Sequence, residues 1–360
     1  MRVVISGYYG FGNLGDEAVL AAMLPALRAR MPTAEFTVLS ANPPHTARLH
    51  GVGTAPRIGL GALRALSSAD LFLSGGGSLI QDATSARSAF YYLGTLGLAT
   101  AGARRTMVFA QGVGPLRRAW VRTLTRRVFD RVDLLTVRDQ ASADLLHALR
   151  VRRLVQVVAD PVFALEPAST ERAEVLLGNL PRPRIGVALR SWGHDAVLDP
   201  VITVLRAWRD RTKAVVVPLA FHPARDLEIS RRVAAALGGQ VLADVAPRDM
   251  LAVIGELDLL VGMRLHALIM AAVTGVAMVG LSYDPKVDAF FRQLPISQVL
   301  SINGLDAPQL RDALALAWER RAELRAALRH RTAGLRADAL RAADLAATLA
   351  AASVGGPPAG

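Results

Sequence analysis

DLLVGMRLHALIMAAVTGVAMVGLSYDPK, residues 258–286, decides how the rest of the chain is read. Its first apolar run, 258–261, has the continuous hydrophobicity of a parallel strand buried on both faces. Gly262 follows, then a helical stretch from about Leu265 to Val273 that stops at Gly275, then a second apolar strand at 276–281. This is a strand-helix-strand unit, and in open α/β sheets ligands sit beyond the carboxyl ends of the strands. Arg264, His266 and Lys286 all fall there. The expectation is three basic groups around one pocket.

Arg264 and His266 are two apart and would not share a face of a regular helix. In the turn that starts the helix both can lean on one ligand, beside the free amides and the positive end of the helix dipole. Arginine offers a planar fork to a carboxylate or phosphate, histidine passes protons near neutral pH, and lysine adds a point charge. A small polyanion is the expected guest. The plainer alternative makes Arg264 a surface ion pair and His266 a core histidine with satisfied nitrogens.

The same habit recurs upstream. A short strand at 2–6 enters a loop with glycines at 7, 10, 12 and 15, which opens a helix running to about Arg30. The glycine spacing is neither the dinucleotide fingerprint nor a P-loop. It reads as a saccharide or diphosphate site with Asn13, Gly15, Asp16 and Glu17 as acceptor contacts. The alternative is a tight turn in which the two acids merely favour the helix dipole. A strand at 36–40 and a helix at 58–66 follow. The strand at 71–74 ends in three glycines, and Gly76 and Gly77 there leave amides open to an anion or sugar. Strand 107–111 closes on Gly112-Val113-Gly114-Pro115, 134–137 leads into Arg138-Asp139, and 155–159 into Asp160-Pro161.

Residues 165–172, with Pro167, Ser169 and Thr170, form the best linker. A second alternation then begins: strand 185–189 ending at Arg190-Ser191-Trp192-Gly193-His194, strand 214–218, the run FHPARD, helix 227–237, strand 240–242 and helix 247–254. From Pro308 to about Ala351 the chain is rich in Ala, Leu and Arg and reads as helices. The expected organisation is a Rossmann-like domain at 1–165, a second at 170–305, helices at 306–352 and a flexible tail at 353–360. The fold class is α/β, with two doubly wound parallel sheets facing a cleft.

With 360 residues, 52% of them hydrophobic, the chain can bury large cores. It has no cysteine, which excludes disulfides and thiolate metal sites and fits a reducing compartment. The first residues lack the features of a signal peptide, so a cytoplasmic protein is expected. The apolar windows 90–103 and 267–281 are shorter than the roughly 18 to 20 residues that span a bilayer. The net charge of +12 favours anionic partners. Residues 117–131, RRAWVRTLTRRVFDR, read as a helix with one basic and one apolar face, a solvated cover for a sheet or a seat on an anionic membrane.

Gly-Met-Arg-Leu-His-Ala at 262–267 followed by Ser-Tyr-Asp-Pro-Lys at 282–286 resembles the polysaccharide pyruvyl transferase family. Tyr8 to Glu17, Ser74 to Gly77, Gln111 to Pro115, Val137 to Asp139 and Ala159 to Pro161 resemble its other blocks, in the family's order. Within it, the likeness is to bacterial enzymes that pyruvylate cell-wall polysaccharide for S-layer attachment. The resemblance implies a GT-B-like architecture, phosphoenolpyruvate as donor and a sugar diol as acceptor, with a cyclic pyruvate ketal and phosphate as products. Arg264 and His266 are the expected catalytic pair; Arg138, Arg190, Arg264, His266 and Lys286 are expected to bind the donor, as a co-substrate and without a further cofactor. The acceptor is a saccharide, lipid-linked in the cell-wall enzymes, which would place the protein at the inner face of the membrane. No D-x-D pair or clustered ligand spacing suggests a metal. The rival enzyme is a metal-independent glycosyltransferase using a nucleotide sugar, with Asp284 as a ribose contact. The rival from another class is a nucleic-acid-binding protein, for which only non-specific phosphate attraction speaks.

Overall fold

The computed structural model describes residues 1–83, 86–193 and 196–354. His194, expected at a strand end, and the tail from residue 355 onward lie outside the described residues. The chain divides into two compact units: one of Met1–Phe11, Asp16–Leu165 and the chain from Leu335 on, the other of Gly12–Gly15 with Glu166–Gly334.

The first unit alternates strand and helix: β1 (Arg2–Ser6), α1 (Leu14–Arg30), β2 (Glu35–Ser40), α2 (Pro43–His50), β3 (Gly53–Pro56), α3 (Leu60–Ser67), β4 (Leu71–Ser74), β5 (Gly77–Ile80), α4 (Ala86–Gly102), β6 (Arg105–Val113), α5 (Ala119–Phe129), β7 (Leu134–Val137), α6 (Gln140–Ala148) and β8 (Val155–Val157). Its sheet is parallel in the order β3-β2-β1-β4-β6-β7-β8, with β5 paired to β6. All four residues of β4 are buried, as parallel strands covered on both faces require. The glycine run after β4 does not stay a loop. β4 pairs with the first half of β6, Leu71 opposite Arg105, and β5 resumes the same lane with Gly77 opposite Gln111. Gly75 and Gly76 are thus a break within one lane of the sheet.

The second unit follows with α7 (Thr170–Leu177), β9 (Arg184–Ala188), α8 (Leu198–Thr212), β10 (Val215–Pro218), α9 (Pro223–Leu237), α10 (Pro247–Gly255), β11 (Leu259–Gly262), α11 (Leu265–Thr274), β12 (Met278–Ser282), α12 (Pro285–Phe291), β13 (Val299–Ser301) and α13 (Ala307–Glu319), and α14 (Arg321–Val354) begins in it and belongs to the first unit from Leu335 on. The sheet order is β10-β9-β11-β12-β13, all parallel. The residues of β11 are buried, and each of Leu259, Leu260 and Val261 stabilises by about 1.5 to 3 kcal/mol. α11 ends where Gly275 takes a left-handed φ of 75°, the usual helix stop.

Some elements differ from expectation. No strand forms at 240–242, where a single bridge joins Leu219 to Leu242. The basic helix is confined to α5, because Asp82 accepts the amides of Arg117 and Arg118 and holds them in the lead-in. Lys286 is in the first turn of α12 rather than in a loop, since the Asp284 side chain accepts its amide and caps the helix.

Candidate functional site

Because the second sheet is parallel, loops leaving β9, β10, β11 and β12 emerge at one edge, and these strands are immediate neighbours. They carry, in turn, Arg190, the His222-to-Asp226 segment, Arg264, and Tyr283 with Lys286. The order reverses at β9, the point at which such sheets bind ligands.

Tyr283 is where the cations meet. Arg190 Nη1 donates to its hydroxyl at 3.0 Å, and the guanidinium lies 4.8 Å from the Tyr283 ring and 5.0 Å from that of Trp192. Lys286 Nζ stands 5.6 Å from the Tyr283 ring and 3.5 Å from Asp284. Burial raises the Tyr283 pKa, yet Lys286, Arg190 and Arg264 outweigh it and hold the phenol below its ordinary value. A net positive field at this edge is the physical reason. Arg190 Nε is a buried donor without an acceptor among the described residues.

Arg264 differs from the expected open fork. Its Nε donates to Asp226 at 2.8 Å and its Nη2 pairs with the other carboxylate oxygen. The Asp226 side chain is wholly buried, and a carboxylate so desolvated requires a partner. Asp226 also accepts the His222 amide at 2.9 Å. The Nη1 edge of Arg264 is what remains for a ligand. Asp226 went unseen in the sequence, although FHPARD after a strand end, with proline at the first helical position, is a helix-start pattern.

His222 is 6% exposed, and among the described residues its two ring nitrogens have no hydrogen-bond partner. Burial first, then the cations Arg264 and Arg225, depress its pKa, against the pull of Asp226. The folded protein therefore keeps this ring neutral while the unfolded chain takes a proton near pH 6.5. Its contribution to stability is complete above that value and is lost as pH falls below it toward the folded value. Between pH 7.5 and 5.5, unfolding free energy measured by urea titration should fall with a slope shallower in His222→Gln than in wild type, by up to about 1.4 kcal/mol per pH unit. Equal slopes would remove His222 as the titrating group.

His266 is the second residue of α11 and lies against the loop that carries Gly15. Leu14 donates its amide to Phe221 O at 2.8 Å. A Cβ on Gly15 would stand 2.1 Å from His266 Nδ1, so only glycine fits beside the ring. Asn13 accepts the Gly15 amide. Asn13 and Gly15 thus join His266 in the second unit, while Asp16, Glu17, Gly76 and Gly77 belong to the first.

In the first unit the Glu17 carboxylate is spent. It accepts the Gly10 amide at 2.8 Å and pairs with His50 Nε2 at 2.8 Å, both side chains nearly inaccessible. Asp16 lies against Gly77, whose φ of 93° and closeness to Asp16, 2.7 Å from where a Cβ would stand, both demand glycine. Arg138, buried after β7, donates to Asp160 at 2.9 Å and Ser78 at 2.8 Å, with Asp139 3.5 Å away. Burial works against its charge, but the two aspartates raise its pKa further. It is a neutralised hub between strand ends, and the structure does not bring it together with Arg190 and Lys286 in one unit. Elsewhere in the same unit, Tyr8 and Phe11 stack at 4.1 Å, and Arg57 lies 4.9 Å over Phe11 and 3.8 Å over Tyr91. Among the described residues, no group of three or more His, Asp or Glu could hold a metal ion.

The profile of the family described as polysaccharide pyruvyl transferase matches residues 13–285. No curated protein matches the chain. Among solved structures, a putative UDP-N-acetylglucosamine 2-epimerase from Listeria monocytogenes is similar at TM-score 0.65 with 13% identity, covering 95% of this chain and 94% of its own. Anabaena HepE in complex with UDP and glucose is similar at 0.59 with 12% identity, covering 98% of each chain. Sucrose-phosphate synthase from Thermosynechococcus elongatus is similar at 0.61 with 13% identity, covering 98% of this chain and 100% of its own. At these identities the likeness establishes the fold: α/β with two Rossmann-like parallel sheets, the class of GT-B glycosyltransferases and epimerases.

Proposed function

The chain belongs to the polysaccharide pyruvyl transferase family, and from that membership we propose that it transfers pyruvate from phosphoenolpyruvate to two hydroxyls of a saccharide, forming a cyclic ketal and releasing phosphate. The observation that supports this reading is the cationic cluster around Tyr283, because phosphoenolpyruvate brings roughly three negative charges on a small frame. Arg190, with its orphan Nε, Lys286 and the spare Nη1 edge of Arg264 bind its carboxylate and phosphate. The amides at the start of α11 add to the same field.

The balance is simple. The methylene carbon of the donor gains a proton and becomes a methyl group, and the central carbon turns electrophilic. One sugar oxygen bonds to that carbon and its proton is released. The carbon-oxygen bond to phosphate then breaks, the second sugar oxygen takes its place, and its proton leaves with the phosphate. His266 moves the proton from hydroxyl to methylene carbon, because an imidazole offers one nitrogen to accept a proton and another to donate one. The saccharide lies on the Tyr8 and Phe11 side of the first unit, where stacked rings suit the apolar face of a sugar. Asp16, Gly76 and Gly77 stand at glycine-rich turns of that unit, and Asn13 and Gly15 belong to the second; Glu17, occupied by His50, holds the loop. Arg138 fixes the strand ends on which these turns depend.

Within the family, the likeness to the bacterial enzymes that pyruvylate cell-wall polysaccharide supports such a polysaccharide, or its lipid-linked precursor, as acceptor. A reaction that consumes phosphoenolpyruvate belongs in the cytoplasm, and no helix of the described residues is long and apolar enough to cross a membrane.

Phosphate release from phosphoenolpyruvate tests the reading. It should depend on an added saccharide diol and persist in EDTA. Lys286→Ala should raise the donor KM about ten- to a hundredfold, the loss of one charge-assisted contact, with the acceptor KM unchanged. Release of nucleotide from a UDP-sugar, with none of phosphate, would make the chain a glycosyltransferase and overturn the proposal.

A further inference from the structure

Residues 57–131 contain eleven arginines against three aspartates and neither lysine nor glutamate, so this fifth of the chain holds a surplus of eight out of a total of twelve. Among the described residues, the only arginine side chains of this segment that the three acids reach are Arg104, 3.6 Å from Asp70, and Arg118, 3.8 Å from Asp82. Asp70 accepts the Arg2 amide, Asp82 is buried under the start of α5, and Asp130 accepts the Arg152 amide. Arg64, Arg87, Arg122, Arg126 and Arg127 are exposed, and among the described residues none has a carboxylate within 4 Å.

The same segment is apolar at its surface. Six of the ten large hydrophobic side chains exposed among the described residues are here: Ile58, Leu60, Leu63, Phe90, Leu98 and Trp120. They sit on one helical layer of the first unit, in which α3 packs on α4 and α4 on α5. Leu60 is 71% exposed, Phe90 61% and Trp120 47%, and the Phe90 and Trp120 rings meet edge to face at 6.4 Å. On α4, Arg87, Phe90 and Leu98 follow at intervals of three and eight, one outward stripe. On α5 the inward face is Val121, Thr125, Val128 and Phe129, which leaves Trp120 and the arginines outside.

Scattered exposed hydrophobics need no explanation, but a patch of them interleaved with unpaired arginines does. We infer that the α3-α4-α5 layer is a docking surface for an anionic phospholipid membrane. Arginine heads match lipid phosphates, while Trp120, Phe90 and the leucines enter the headgroup and upper acyl region, the division of labour of an interfacial helix. A second copy of this face does not fit, since it would set a surplus of eight positive charges against the same surplus. A nucleic acid would satisfy the arginines and leave Leu60, Leu63 and Leu98 in water. The inference stands on the surface alone and holds for whatever reaction the protein performs.

Full-length protein is sedimented with vesicles of phosphatidylcholine, alone or mixed with phosphatidylglycerol. Binding is expected only to the anionic mixture, and it should weaken as salt rises from about 0.1 M to about 1 M, where the Debye length shrinks from about 10 Å to about 3 Å. Replacing Arg122, Arg126 and Arg127 together by Gln should lower the partition coefficient roughly a hundredfold, and replacing them by Lys should restore it. Brominated acyl chains should quench the tryptophan emission of bound wild type, and much less that of Trp120→Phe, which still sediments. Circular dichroism melts matched to wild type exclude misfolding of the Gln variant, and the Lys variant, which keeps the charge, carries the test if they do not match. Equal sedimentation with both vesicle types, unchanged binding of the Gln variant, or quenching that survives Trp120→Phe would each overturn the inference. So would binding of random-sequence duplex DNA with no binding to vesicles.

Discussion

Asp226→Ala is expected to destabilise the protein by about 3 to 5 kcal/mol, the usual cost of leaving one member of a buried ion pair without its partner. The Asp226 side chain is wholly buried and takes both Nε and Nη2 of Arg264, whose own side chain is 12% exposed. Removing the carboxylate strands a guanidinium at the start of α11 and frees the His222 amide that it also accepts. Asp226→Leu combined with Arg264→Met should cost less than the sum of the two single changes, because no charge is then left unpaired. Urea denaturation of the four proteins gives the coupling directly. A loss below about 0.5 kcal/mol for Asp226→Ala would mean that the pair is not formed in solution.

His266→Ala should lower kcat by roughly a hundred- to ten-thousandfold, the range for removing a positioned general acid or base. Its KM for phosphoenolpyruvate should move little, because Arg190 and Lys286 retain the charge contacts. Stability should also change little, since His266 is only partly buried. Added imidazole should return part of the rate to this variant and none to Lys286→Ala. A variant with near wild-type kcat would remove His266 from proton transfer.

The strand-helix-strand unit at 258–286 is legible because local signals agree there: apolar runs long enough for buried strands, a left-handed glycine stop at Gly275, and Asp284 before Pro285 to start α12. α2 and β3 left no such trace, since PPHTARLH and GTAP have neither a helical nor an alternating apolar pattern. The positions of Arg190, Arg264 and Lys286 at strand ends followed from the alternation itself. Their partners did not. Asp226 is 38 residues from Arg264, and His50 is 33 from Glu17, so each pairing exists only once the sheets have formed. For the same reason Glu17 reads as an acceptor contact in the sequence and is a loop anchor in the structure. Trp120 and Phe90 belong to separate apolar runs in the sequence, and only the packing of α4 on α5 sets their rings side by side outside the core.

In the proposed reaction a pyruvyl group leaves phosphoenolpyruvate and closes on a sugar diol. Mass spectrometry of a cell-wall disaccharide, free and lipid-linked, incubated with the protein and carbon-labelled phosphoenolpyruvate tests it most directly. The expected result is a product carrying the label as one ketal, with both bridged hydroxyls blocked, equimolar phosphate, and no product from His266→Ala over the same interval. An acceptor of unchanged mass across these saccharides, or one that gains a sugar from a nucleotide donor instead, would contradict it.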